Sequence, residues 1–414
     1  MIIPGDAMEV LVIGGGASGM MAAISAASMG ANVTIYEHND VLGKKLSRTG
    51  NGRCNLGNTY LGLDCYHSVD ADLLNEYFTQ FDESDTIRTF KSLGLIIKDE
   101  NGYLYPSCDQ AGVVRDILIT QLKAYGVKIV TSVDIESITK ETPYKFAVSA
   151  LGRTLNYDRV ILACGSYAGL SKSERLPSDK DGYSIAYSFG HTILPVKPAL
   201  TALKCKGEFF KDISGVRADA VITLLKDQAM IGSEYGQLQI TDYGVSGIPI
   251  FQLSHYVGAD KNASYELLID FMPGLSEDEF IEMMQSRILS FQGAPVKDFF
   301  LGTLNTKLCT LLIDMAGLDP EEGVDTEKAD DLITAISLMR ALKLSVTGVK
   351  DFTHAQACSG GVPLREIDKN CMSLRTPGLY ICGEMLDVDG KCGGYNLQWA
   401  WTTGYIAGKA AGTY

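Results

Sequence analysis

No two of the ten cysteines are spaced as Cys-x-x-Cys, and only five histidines are scattered through the 414 residues. That spacing excludes the usual thiolate and imidazole metal frameworks and argues against a dithiol redox centre. The thiols are therefore expected to be reduced and mostly buried, with no metal bound. Basic residues are in deficit: Lys plus Arg number 36 against 50 Asp plus Glu, a formal net charge of −14. Nucleic acid and anionic membranes need a basic face, so neither is an expected partner. No uncharged apolar run reaches the ~18–20 residues of a membrane-spanning helix. The start, "MIIPGDAMEVLVIGGG", lacks a basic segment followed by an apolar stretch and cleavage site. The expected location is cytoplasmic. There is no internal repeat, no low-complexity linker and no apparent Ser/His/Asp arrangement. What remains is an ordinary globular composition, 46% hydrophobic and 21% charged, in a chain long enough for two or three domains.

Glycine is plentiful, and its placement is informative. "EVLVIGGGASGMMAAISAASMGANVTIYE" reads as strand, tight turn, helix, strand, with Gly14, Gly16 and Gly19 forming Gly-x-Gly-x-x-Gly. Gly14 makes the turn, Gly16 lets backbone approach a pyrophosphate, and Gly19 permits close helix–strand packing. Ala22, Ala23, Ala26 and Ala27 give the helix a small-residue face. Glu37 ends the second strand, placed to accept from ribose hydroxyls and to disfavour a 2′-phosphate. The helix N-terminus supplies free N–H groups to the anion. With these flanks the glycine pattern reads as a dinucleotide site.

The second strand runs into "GKKLSRTGNGRCNLGN", residues 43–58, a loop with no helical or alternating period. Loops built this way lie against ligands. The sheet resumes after a helix at about 112–125, with a strand at Val127 to Thr131. Three alternating runs follow ("DIESITK", "YKFAVSA", "RTLNYD"), then a buried strand in "RVILACGS". Strand, β-meander, strand is the layout of flavoprotein domains of the disulfide-reductase type. Near the C-terminus, "TPGLYICGEMLDVDGKCGGYNLQWAWTTGYIAGKAA" gives a short strand, Gly383-Glu384, a glycine turn and a helix from about Tyr395. In such flavoproteins the acid grips the ribityl chain and the helix N-terminus faces the N1–C2=O edge.

These stretches, together with "YGVSGIPIFQLS" and "AQACSGGV", resemble the bacterial NAD(P)/FAD-dependent oxidoreductase family that includes aminoacetone oxidases and a bile-acid dehydro-reductase. The resemblance covers nearly the whole chain. It implies an α/β fold with a Rossmann-like FAD-binding domain of the glutathione-reductase/fumarate-reductase type, carrying an inserted small β-barrel and a helical insert. It implies FAD contacts at Gly14, Gly16, Ala17, Ser18, Gly19 and Glu37, and in the glycine–asparagine loop at Lys45, Asn51, Gly52, Arg53, Cys54 and Asn55. Further contacts fall on Val133, Ala163, Cys164 and Gly165, and on Gly383, Glu384, Asp389, Gly394, Asn396 and Leu397. Two departures stand out. "YLYPSC", residues 103–108, replaces an Arg-x-Phe-Pro stretch, which puts an arginine-dependent substrate contact in doubt. "LPSDKDGYSIA" replaces a serine–threonine–glycine run and alters the loop near the flavin edge.

The expected organisation is 1–194 and 354–414 as the two sections of the FAD domain, 195–274 and 343–353 as the barrel, and 275–342 as the helical insert. Alternating runs such as "DAVITLLK" and "SYELLIDF" suit a barrel. "SEDEFIEMMQSRILSFQ" opens with a capping box, Ser276 to Glu279. Phe280, Met283, Met284, Arg287, Ile288 and Phe291 follow at helical spacing as core. Two more helices are expected at about 298–315 and 325–342.

Three chemistries fit such a flavoprotein. The main reading is oxidation of a small amine or amino ketone with oxygen as acceptor, towards which the helix N-terminus, Arg53 and the two aspartates tilt; the others are alternatives. The second is NAD(P)H-driven reduction of an activated C=C bond. The third is a redox sensor without turnover. No second Gly-x-Gly-x-x-Gly follows a strand, so NAD(P)H is expected only as a transiently docking donor to the flavin. Arg53 is a candidate to stabilise reduced flavin or bind a substrate oxygen, the alternative being a structural contact. Asp387 and Asp389 are candidates to hold a cationic amine, the alternative being turn formation or a solvated position. Cys54 reads more readily as a buried inert thiol than as a nucleophile, and His191 and His354 as residues satisfied by local hydrogen bonds.

Overall fold

The computed structural model describes residues 7–142, 145–177, 180–258, 260, 262–325 and 329–413. Residues 144, 178–179 and 326–328, in stretches read above as strand, flavin-edge loop and helix, lie outside the described residues. The chain divides into two compact units, Met1–Lys197 with Ala357–Tyr414, and Pro198–Gln356.

The first unit is built on a five-stranded sheet. Its order is Leu379–Ile381, Arg159–Leu162, β1 (Glu9–Ile13), β2 (Asn32–Tyr36) and Lys128–Val130, and every pairing is parallel. Val10 to Val12 are fully buried, as expected of central strands covered on both faces. The order reverses at β1, with β2 on one side and Arg159–Leu162 on the other. Ligands of open α/β sheets bind beside such a switch point, at the carboxyl ends of the strands. The meander, Ile135–Thr142, Lys145–Ala150 and Arg153–Tyr157, forms a separate antiparallel sheet.

Helix α1 (Ala17–Ser28) follows the glycine turn and packs on the C-terminal helix Tyr395–Gly412. Glycines at every fourth position of the latter face small residues at every fourth position of α1, the spacing that puts side chains on one face. A β-carbon on Gly404 would lie 2.4 Å from the Ser18 carbonyl oxygen, on Gly408 2.1 Å from that of Ala22, and on Gly412 2.6 Å from that of Ala26. The seam is backbone against backbone, so the last eighteen-residue helix completes the core begun by the first. Trp399 and Trp401 anchor the same helix by donating to the carbonyls of Gly383 (3.2 Å) and Leu56 (3.0 Å).

The second unit contains a closed antiparallel barrel. Its strands run in the order Leu203–Cys205, Gly244–Ser246, Ala229–Thr241, Arg217–Lys226, Tyr265–Asp270 and Leu342–Val349. Ala220, Ile222 and Leu224 alternate inward along one strand. Between the last two barrel strands in sequence come the helices Glu277–Ser290, Val296–Phe299, Thr306–Met315 and Ala329–Ala341. Ser276 caps the first through the expected box with Glu279.

Two expectations are corrected here. The helix expected at about 298–315 is two helices, because Asn305 caps a new start by accepting from Lys307 N–H (3.0 Å). Arg287, expected in the helix core, instead donates to the carbonyls of Phe299 (2.5 Å) and Leu301 (2.6 Å), at the C-terminal end of the short helix Val296–Phe299.

Candidate functional site

At the switch point three strand ends converge. Gly14, at φ +103°, has no room for a side chain: a β-carbon would lie 2.3 Å from the Ala163 carbonyl oxygen. Gly19 is as tight, 1.9 Å from that of Gly14, whereas the same position on Gly16 meets nothing within 4 Å. Gly16 is the N-cap of α1, and no side chain caps that end. The first-turn N–H groups of Ala17, Ser18 and Gly19 therefore have no intrahelical partner. An open glycine before an uncapped helix end suits a pyrophosphate.

Glu37, directly after β2, is buried and rigidly held. Its Oε2 accepts from Gly15 N–H at 2.6 Å; its Oε1 accepts from Asn39 N–H (2.8 Å) and the Asn39 amide (2.7 Å). A carboxylate has about four acceptor positions and three are used, leaving about one for a ribose hydroxyl. Val133 N–H donates to the Glu37 carbonyl (3.0 Å), which fixes the same corner from the far side.

Glu384 sits after Leu379–Ile381, its Oε2 2.6 Å from Lys45 Nζ and 3.0 Å from Ser166 Oγ. Lys45 comes from the glycine–asparagine loop and Ser166 follows Gly165 at the end of Arg159–Leu162, so three separate loops meet at one carboxylate. Ser166 was not singled out by the sequence, although it directly follows the "ACG" of that strand. Gly383, at φ +70°, places a would-be β-carbon 2.5 Å from Ser18 Oγ, which brings this turn against the start of α1. Cys164 donates its N–H to Met385 Sδ (3.4 Å) in the same corner.

The loop 43–58 turns through left-handed backbone at Gly50, Asn51 and Gly52, and space is open around Gly52. Cys54 is buried, and burial pushes its thiol up to about 12, against a hydrogen bond from Thr49. Its burial and raised pKa favour the packing role over the nucleophilic one. Asn55 and Gly57 lie against Gly394, the left-handed N-cap of the C-terminal helix, another helix end without a side-chain cap. Asn396, in its first turn, clamps Gly390 by accepting from its N–H (2.9 Å) and donating to its carbonyl (2.8 Å). Leu397 packs against the core.

The candidate catalytic residues are placed differently from their expected roles. The Arg53 guanidinium donates to Asp109 (2.7 Å) and Glu100 (2.8 Å) and lies 4.0 Å from the centre of the Tyr105 ring. The bonds to Glu100 and Asp109 hold it further in the protonated state. It is a committed structural cation rather than an open one, which is the alternative weighed above. Asp387 is buried, and its two oxygens accept from Gly360 N–H and Val69 N–H, both at 3.0 Å. Asp389 is buried in a two-residue strand paired with His67. Neither carboxylate stands on an exposed acidic turn: both are buried, and Asp387 satisfies backbone donors there.

A Ser–His–Glu arrangement is present that the sequence did not disclose. His191 Nδ1 is 3.0 Å from Glu366 Oε2, and its Nε2 is 2.7 Å from Ser373 Oγ. All three are buried, and Ser373 Oγ also accepts from the N–H groups of Arg375 (3.1 Å) and Thr376 (2.8 Å). That oxygen is a turn acceptor without access to substrate, and the trio is a structural clamp. Its members are 182 residues apart at the widest, which is why no motif reveals it.

Fold and site together define a Rossmann-type flavoprotein oxidoreductase. The model of the HI0933-like protein Rossmann domain matches residues 8–410, and the chain belongs to that family of flavin-dependent enzymes. Over 408 residues it is 39% identical to a Clostridium scindens protein named 3-dehydro-bile acid delta(4,6)-reductase, covering 97% of this chain and 98% of that one. It is 27% identical to a ribosomal RNA dihydrouridine synthase of Escherichia coli, covering 98% of each. Among solved structures, a 3-ketosteroid-delta4-(5alpha)-dehydrogenase from Rhodococcus jostii RHA1 shares the fold, with a TM-score of 0.50 at 16% identity over 98% of this chain and 97% of that one.

Proposed function

We propose that this enzyme uses FAD to reduce a carbon–carbon double bond conjugated to a carbonyl, with NAD(P)H as the electron donor. The observation that carries the reading is the full-length 39% identity to a protein named as a bile-acid reductase. The dihydrouridine synthase named above makes a product that also differs from its precursor by hydrogen added beside a carbonyl. The net charge of −14 argues for a small substrate over RNA. Burial of Asp387 and its bonds to the Val69 and Gly360 N–H groups favour a structural role for it over capture of an amine.

When bound, FAD would supply the two-electron chemistry between a nicotinamide and the alkene, whose reduction also takes up one proton. The chain's own residues bind and orient. The first turn of α1 would hold the pyrophosphate, Glu37 one ribose hydroxyl, and Lys45, Ser166 and Glu384 the polar chain between phosphate and ring. Ala163, Cys164 and Gly165 would line the floor. The N-terminus of the helix Tyr395–Gly412 would stabilise negative charge at the ring edge.

The test is anaerobic. NADH or NADPH should bleach the bound flavin, and a conjugated enone should restore its colour without oxygen. If nicotinamides leave the flavin oxidised while an amino ketone bleaches it, and oxygen then restores it with peroxide formed, the enzyme is an amine oxidase.

A further inference from the structure

The strand Tyr103–Pro106 runs between Gly57–Asn58 and Ile97–Glu100 in a small antiparallel sheet. Alternation buries Leu104 and Pro106 and turns Tyr103 and Tyr105 to the other face. The two tyrosines are used differently. Tyr105 is covered by Arg53, which Glu100 and Asp109 hold in place, and Lys98 bonds the same two carboxylates at 2.9 and 2.5 Å. Two cations and two carboxylates leave this face without net charge. Tyr103 is 37% exposed, and among the described residues its hydroxyl makes no hydrogen bond. Its ring edge lies 3.1 Å from where a β-carbon on Gly393 would stand, one residue before the N-cap of the C-terminal helix. Asn58 holds that corner by donating to the Gly393 carbonyl at 3.3 Å. An exposed aromatic ring thus stands where the glycine–asparagine loop, the sheet and the helix N-terminus meet.

We propose that Tyr103 is a specificity-determining residue, presenting its ring and hydroxyl to a neutral, flat, fused-ring enone at the substrate end of the cofactor site. This rests on the reductase reading above. A charge-neutral face with an aromatic shelf favours extended apolar contact over phosphate recognition. A small enone would reach the flavin without covering the tyrosine.

The experiment compares holoenzyme with Tyr103→Ala and Tyr103→Phe, using androstenedione and cyclohexenone as acceptors. Binding of saturated androstanedione to the oxidised holoenzyme is followed by calorimetry. Tyr103→Ala should raise KM for androstenedione and weaken the saturated ketone about tenfold, while cyclohexenone kinetics, the flavin spectrum and its reduction by NAD(P)H stay as in the parent. Tyr103→Phe should keep most of the ring contact and so most of the affinity. If Tyr103→Ala weakens both acceptors alike, or neither, the specificity role is overturned and the reductase reading stands. If the parent holoenzyme reduces neither enone and binds no ring ketone, the reductase reading itself fails and takes this one with it.

Discussion

The phosphate turn, residues 14–37, and the acidic turn, residues 383–394, share a local grammar. Each follows a buried parallel strand, is rich in glycine, carries at least one carboxylate and includes a helix start without a side-chain cap. Their acids nevertheless end in opposite situations. Glu37 is fixed by Gly15 and Asn39, neighbours in the same βαβ unit, next to the open Gly16. Asp387 reaches Val69, 318 residues away, and uses its oxygens to tie chain segments together.

The largest effect should come from breaking what the two turns have in common, the helix seam beneath them. Gly408→Val forces a β-carbon into the Ala22 carbonyl, where neither backbone can retreat. We expect a loss of about 3 kcal/mol, read as a lower urea midpoint and loss of FAD from purified protein. A variant with parental stability would show that the two helices can separate without cost to the fold.

A pair of substitutions sharpens the contrast between the acids. Asp387→Ala costs about 1–3 kcal/mol at the buried Gly360 N–H and about 1 kcal/mol at the more exposed Val69 N–H, so stability should fall by about 2–4 kcal/mol. Glu37→Ala should act chiefly on the cofactor, weakening FAD retention by about 1.5–3 kcal/mol, the value of a charge-assisted hydrogen bond. Urea unfolding and FAD titration of both variants check this. The contrast breaks if Asp387→Ala retains stability and loses only affinity for amines.

The smallest effect is in pH. Burial holds the His191 imidazole below its ordinary 6.5, against the pull of Glu366. The unfolded chain therefore takes up a proton that the folded chain refuses, and stability should decline as pH falls below 6.5. For Glu366 burial works the other way, but bonds from Arg375, Thr192 and His191 keep its carboxyl down at about 2. Its contribution is present above its ordinary 4.5 and is lost as pH falls towards 2. His191→Gln should flatten the slope of Tm between pH 7 and 5 and leave the steeper loss below pH 4.5. An unchanged slope in that variant would assign the decline to other groups.

How much was legible follows from how far each argument had to reach. The glycine turn, α1, the parallel strands, the meander and the capping box at Ser276 could be read because each rests on residues within a few turns of one another. Side-chain period and backbone sterics act at that range. The open Gly16 beside the crowded Gly14 and Gly19 belongs to the same class. The roles of the polar side chains did not. Arg53 looked like an available cation until Glu100 and Asp109 closed on it, and Asp387 like a solvated acid until Val69 and Gly360 reached it. Lys45 with Glu384, and His191 with Ser373, are pairs that only the folded chain brings together. A hydrogen bond is decided within about 3 Å, and residues hundreds of positions apart come that close only when the tertiary fold puts them there. The sequence thus determined the elements and the cofactor class, and the packing of distant segments decided which of its charges are left to act on a ligand.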